Sequence, residues 1–307
     1  MDLRTRAGVL VGALAALAAA PSAARACSTC TVGDPTLTVT GTEQPFQNRV
    51  RLSAVLRHRR ETLAALGTDG VRVPDAVRLR ENRVELGLSW APADRVVLAA
   101  TLPLIHQRVR YANLARTERW TVGDLDLRAR TVLYRDRRLA PRHLLSAVVG
   151  LELPTAPELR DPAGRIIFDL QAGSGSVDPL VGLLYSRFAG VFSAHVTSTL
   201  RVPTEGYAAT RLGPTAQLSV AGQVQPWTVF GLRASLDGRL DGREVTGGAR
   251  VDDTGGGILF GTLGVIALPV PRDADLVVLA QLSVPLVERR RNGREGGVVS
   301  AGVTHDF

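Results

Sequence analysis

The feature that most constrains this chain is a period-two alternation of apolar and polar residues, repeated along its length and interrupted by links of two sizes. Val84, Leu86, Leu88 and Trp90 alternate with Arg83, Glu85, Gly87 and Ser89. Leu125, Leu127, Ala129 and Leu133 alternate with Asp126, Arg128 and Arg130, and Leu218, Val220 and Val224 with Gln217, Ser219 and Gln223. Successive side chains of a strand point to opposite faces, so each stretch reads as a strand with one apolar and one polar face. Similar stretches at 46–57, 96–104, 143–153, 178–187, 191–201, 228–238, 258–268, 275–286 and 297–307 give roughly twelve strands of about ten residues, the length a tilted strand needs to cross a bilayer. The links are short at 91–94, 135–142, 188–190, 225–226 and 270–274. They are long and polar at 58–82, 106–123, 154–177, 203–212, 240–256 and 287–296. Outer-membrane barrels pair short periplasmic turns with long external loops in this way. The expected fold is therefore all-β: a transmembrane antiparallel up-and-down β-barrel of about 12 strands with both termini periplasmic. A soluble sandwich also alternates, but it needs no strict alternation of loop lengths.

The first 26 residues carry a secretory layout: basic Arg4 and Arg6, an apolar run from Val9 to Ala20, then Ala24-Arg25-Ala26 before Cys27. The run is too short to span a bilayer as a mature helix. The expected organisation is a signal peptide at 1–26, an N-terminal periplasmic segment at 27–45 and the barrel at 46–307, placed in the outer membrane. Cleavage lowers the formal charge from +8 to 34 basic minus 28 acidic residues, or +6. Every basic residue is arginine, and the arginines are spread along the chain among Asp and Glu, a distribution that argues against nucleic acid. Cys27 and Cys30 form a Cys-x-x-Cys pair, a candidate disulfide in an oxidising periplasm. Thr31 follows in place of the His of a haem-attachment motif, and a lone Cys pair leaves zinc two ligands short. No cofactor or metal is expected.

The last strand orients the faces. Val299, Ala301, Val303, His305 and Phe307 form one file, ending on an aromatic residue, and resemble the strand that the barrel-assembly machinery reads. With that file toward lipid, the polar partner files face a lumen. Its candidate lining is Arg49, Arg51, Arg57, Glu85, Asp126, Arg128, Arg130, Glu152, Asp178, His195, Arg233, Asp237 and Gln281. So many inward charges require mutual pairing or water, so the files are either a salt-bridged ladder or an arginine-rich path favouring anions. Trp90, Tyr185, Trp227 and Phe307, near the strand ends, are candidate interfacial anchors. Catalytic constellations are absent from the pattern. Gly173-Ser174-Gly175-Ser176 is a glycine-rich loop rather than Gly-x-Ser-x-Gly, and His195 has only nearby Ser193 and Thr197 beside it.

Three further stretches carry a family resemblance: Gly123-Asp124-Leu125-Asp126-Leu127, Gly150-Leu151-Glu152-Leu153-Pro154-Thr155, and Leu170-Gln171-Ala172-Gly173-Ser174-Gly175-Ser176-Val177-Asp178-Pro179 running into Gly182-Leu183-Leu184-Tyr185-Ser186. In this order and spacing they resemble the transporter-like outer-membrane family labelled for the meta-pathway of phenol degradation, over roughly 46–307. The resemblance implies a barrel that passes small molecules, among them apolar or aromatic compounds. The expected function is an outer-membrane channel or transporter for small molecules with no catalysis, its partners being outer-membrane lipid, the assembly machinery and a solute. The alternative is a docking barrel for another envelope protein, such as a periplasmic redox protein, using 27–45.

Overall fold

The computed structural model describes residues 48–66, 72–111, 115–138, 141–160, 164, 166, 170–227, 229–251, 254–267, 276–289 and 293–307. The expected signal peptide, the 27–45 segment and both cysteines lie outside the described residues. Twelve antiparallel strands close into one barrel: β1 (Val50–Leu66), β2 (Arg72–Ala93), β3 (Val96–Arg110), β4 (Arg116–Val122 and Leu125–Arg135), β5 (His143–Leu153), β6 (Asp178–Ala189), β7 (Phe192–Arg201), β8 (Thr215–Trp227), β9 (Phe230–Asp241), β10 (Gly256–Ala267), β11 (Leu276–Arg289) and β12 (Gly293–Glu295 and Val298–Asp306). Each pairs with its neighbours in sequence, and β1 also pairs with β12, which removes every open edge. The seam ends where Val50 and Phe307 exchange backbone hydrogen bonds of 2.8 and 3.2 Å.

Exposure is inverted relative to a soluble protein. Leu183 and Leu56 are 53% and 51% exposed, whereas Asp178 and Arg57 are 2% and 4% exposed. Alternation explains this: over the lipid-facing stretch the outward file is apolar, while the inward file carries the charges, interleaved with apolar residues such as Val55, Ile105 and Phe260. On β12, Val299, Ala301, Val303 and Phe307 are exposed, while Val298, Ser300, Gly302 and Thr304 are buried and His305 is half-buried. Trp90, Tyr185, Trp227 and Phe307 are all exposed near the end that holds the short turns, along with Tyr134 and Phe192. At the first of those turns Arg135 donates to Asp94 at 2.7 Å, and that hydrogen bond holds the carboxyl below its ordinary range.

Three of the expected long links are largely strand, the smallest being 287–296, where β11 runs to Arg289 and Gly293–Glu295 of β12 pairs with β1. β1 and β2 run 17 and 22 residues, in register from Val50↔Trp90 to Leu63↔Val77 and then, after a shift, to Leu66↔Arg72, and so take up 58–66 and 72–82 of the proposed 58–82 link. β3 and the first part of β4 pair from Leu104↔Val122 to Arg110↔Arg116, through 106–123. Beyond Leu56 and Leu104 the outward file turns polar, so the apolar alternation stops although the ladder continues. The barrel is consequently taller on the β1–β4 side.

Candidate functional site: the barrel interior

The inward files place arginine and carboxylate on facing strands. On the tall side, Arg59 donates to Glu81 through Nε and Nη2, both at 3.1 Å, and lies 3.5 Å from Glu295 and 3.6 Å from Glu61. Arg83 sits 3.3 Å from Glu81 and 3.9 Å from Glu85, Arg57 donates to Glu85 at 3.4 Å, and Gln107 donates to Glu81 at 3.2 Å. All of these side chains are buried. Farther round the wall, Arg128 donates to Asp126 at 2.5 and 2.9 Å, and Arg201 bridges Asp126 and Glu152. Near the seam Arg51 forms a two-pronged pair with Asp306 at 2.5 and 2.7 Å. On the short side Asp237 accepts from Ser219, Ser235 and Thr262 at 2.5 to 2.8 Å. Charges on the same and on adjacent strands pair with one another, which lowers the cost of keeping them away from bulk water.

Against this wall lies a pocket of about 780 Å³, counting the space at its open mouth. Its charged lining is Arg83, Arg128 and Arg201 against Glu85, Asp124, Asp126 and Glu152, with Pro103, Ala172 and Leu180 as its apolar side. Above it the described stretches of the 154–177 link, 154–160 and 170–177, fold inward. Leu159 and Leu170 pack with Leu63, Val77, Leu79 and Val109 from the tall strands, and Ala156 and Ala172 pack on Ile105. Asp124, in the break of β4, clasps this link by accepting from the backbone N–H of Ala156 at 2.9 Å and of Ser174 at 2.8 Å. Tyr207, from the 202–214 link, donates its hydroxyl to the Ala156 carbonyl at 2.8 Å. The glycines make room: a Cβ on Gly173 would stand 2.3 Å from the Asp124 carboxylate. At Gly175, φ +71°, an added Cβ would stand 2.6 Å from the Tyr207 ring.

Of the candidate lining residues, Arg51, Arg57, Glu85, Arg130, Asp178, His195 and Arg233 are buried, and Arg49, Asp126, Arg128, Glu152, Asp237 and Gln281 are half-buried. Only Glu85, Asp126, Arg128 and Glu152 meet at the pocket. Arg51 and Arg128 each have an acid, whereas Arg130 has no carboxylate within ion-pair distance among the described residues. His195 lies between the hydroxyls of Ser193 (2.9 Å) and Ser186 (3.0 Å), without the carboxylate that orients a catalytic imidazole. Among the described residues no three His, Cys, Asp or Glu side chains gather as metal ligands. Arg59, Glu61, Glu81 and Glu295 fall on stretches whose sequence reads as loop, and Arg83, on the polar file of an expected strand, is not among the expected lining residues. The available signal was Arg57-x-Arg59-x-Glu61 facing Glu81-x-Arg83-x-Glu85, a charge alternation of period two.

No protein-family model matches the chain, and no curated protein matches it. Among solved structures it is similar to an outer membrane channel from Pseudomonas putida F1, at 19% identity and a TM-score of 0.69, over 86% of this chain and 97% of that one. It is also similar to the beta domain of the Bordetella autotransporter BrkA, at 11% identity and a TM-score of 0.53, over 85% and 100% of the two chains. The fold is that of an outer-membrane β-barrel.

Proposed function

We propose that the protein is an outer-membrane channel for small molecules that performs no chemistry of its own. The observation that carries this reading is the interior pocket: a charge-lined cavity inside a closed, lipid-faced barrel, with Ala172 in its wall and Asp124 holding Ala156 and Ser174 beside it. Three arginines against four carboxylates nearly cancel, which favours weak selectivity over an arginine-rich path for anions. Small polar solutes suit this lining best. The aromatic compounds implied by the family resemblance have Pro103, Ala172 and Leu180 as their contact surface. The docking alternative rests on Cys27 and Cys30, outside the described residues.

Liposome swelling with a size series of neutral sugars, and with benzoate against acetate, tests this reading. Swelling is expected with the smallest solutes and a cut-off at larger ones. Absence of swelling with every solute would overturn it. The terminal strand's reading by the assembly machinery belongs to the same proposal. Phe307→Ser removes an exposed ring at the closing seam and should lower the yield of heat-modifiable barrel, and undiminished yield would remove that role.

A further inference from the structure

The outer surface of the tall strands has a second feature that a channel wall does not require. Outward positions form rows across neighbouring strands. The row Leu56↔Val84↔Leu104↔Val122 is the last apolar one. The next is His58↔Asn82↔His106↔Trp120, tied by His58–Asn82 at 2.7 Å, Asn82–His106 at 3.3 Å and a His106–Trp120 ring stack at 4.6 Å. Trp120 is 69% exposed, as an aromatic at a membrane boundary should be.

Above that belt come arginines. One row reads Arg60↔Arg80↔Arg108↔Glu118, and the next reads Arg294↔Thr62↔Arg78↔Arg110↔Arg116. All seven arginines are exposed. Among the described outward positions above the apolar row on these strands, Glu118 is the lone carboxylate, and it is already held by Arg108 at 2.9 and 3.0 Å. Four pairs set arginine directly opposite arginine: Arg60↔Arg80, Arg80↔Arg108, Arg78↔Arg110 and Arg110↔Arg116. Like charges facing across strands destabilise a sheet, so fold stability does not account for the pattern. Position does. Four residues along a tilted strand lift Arg60 about 10 Å above Leu56, which is the headgroup layer.

We propose that this surface binds the phosphorylated headgroups of glycolipids in the external leaflet. Rows of guanidinium forks supply bidentate donors for phosphate, while Leu56, Val84, Leu104 and Val122 below take the acyl chains. The inference rests on the proposed orientation, with the long-link end outside.

The test uses the purified full-length barrel in zwitterionic detergent, with diphosphoryl lipid A as the probe. Lipid A should raise the melting temperature, and dephosphorylated lipid A should not. The triple variant Arg78→Thr/Arg80→Thr/Arg110→Thr should bind about a hundredfold more weakly, from roughly a factor of five per arginine at a phosphate-bearing surface. The corresponding triple lysine variant keeps the charges without the forks and should bind between the wild type and the threonine variant, which guards against a fault in the threonine variant. An equal effect of dephosphorylated lipid, of inorganic phosphate at matched concentration, or of lipid A on the threonine variant would overturn the proposal. Orientation is read separately, by labelling intact cells at Gly248, an open turn at the long-link end, and at Gly190, an open short turn. Lost lipid binding with Gly248 labelled refutes the lipid site alone. Label at Gly190 with none at Gly248 refutes the sidedness, and the lipid site with it.

Discussion

Arg59 and Arg60 are neighbours on β1 with opposite surroundings. Arg59 is 5% exposed and has three carboxylates, from Glu61, Glu81 and Glu295, within 3.6 Å. Arg60 is exposed, donates only to His58 at 3.3 Å among its described contacts, and faces Arg80 across the ladder. The same amino acid thus answers to two solvents one residue apart. Inside, a guanidinium must be neutralised by fixed acids; outside, at headgroup height, it meets mobile anions. The strand's alternation alone decides which arginine goes where.

The largest test of that contrast removes one acid from the inner cluster. Glu81→Ala leaves Arg59, Arg83 and Gln107 short of their shared partner in a buried place. Unfolding in detergent should show a loss of about 3–5 kcal/mol. Arg80→Ala, the adjacent outward residue, should change stability by no more than about 0.5 kcal/mol. Equal losses for the two would break the comparison.

A second test asks whether the inner face also holds the mouth. Asp124→Ala orphans the N–H groups of Ala156 and Ser174, at a cost of about 1–3 kcal/mol. The variant should also admit larger solutes in liposome swelling, and an unchanged cut-off would show that the clasp does not set the aperture. Tyr207→Phe removes one hydroxyl bond to Ala156 and should move melting and cut-off the same way by a smaller amount, about 1 kcal/mol.

The smallest effect belongs to the outer face. Glu118 lies above the apolar row, and hydrogen bonds from Arg108 and then His106 hold its carboxyl below the ordinary range. A depressed carboxylate stabilises above its unfolded value, and that stabilisation is lost as pH falls through the folded one. Trp120 emission should therefore change below the ordinary carboxylate range through its His106 stack, and should not change in Glu118→Gln. A transition shared by both proteins would assign it elsewhere.

How much of this was legible in the sequence follows from the same two faces. Where one face meets lipid, as at Leu86 against Glu85, the apolar alternation was plain, and twelve strands and their faces could be read. Where both faces are polar, as at Arg59 against Arg60, hydropathy lost its period, and the tops of β1 to β4 read as loop. The partners were beyond reach for a different reason. Arg51 finds Asp306 and Arg201 finds Glu152 only once the barrel closes and sets the register. The outer arginines likewise looked dispersed along the chain and gather only across five strands.

The most direct test of the central claim is single-channel recording of the purified barrel in planar bilayers, beside the Asp124→Ala variant. Small, nearly ohmic steps with weak ion selectivity are expected in the wild type and larger steps in the variant. Silent bilayers from both proteins, each verified as folded by heat-modifiable migration, would contradict that claim.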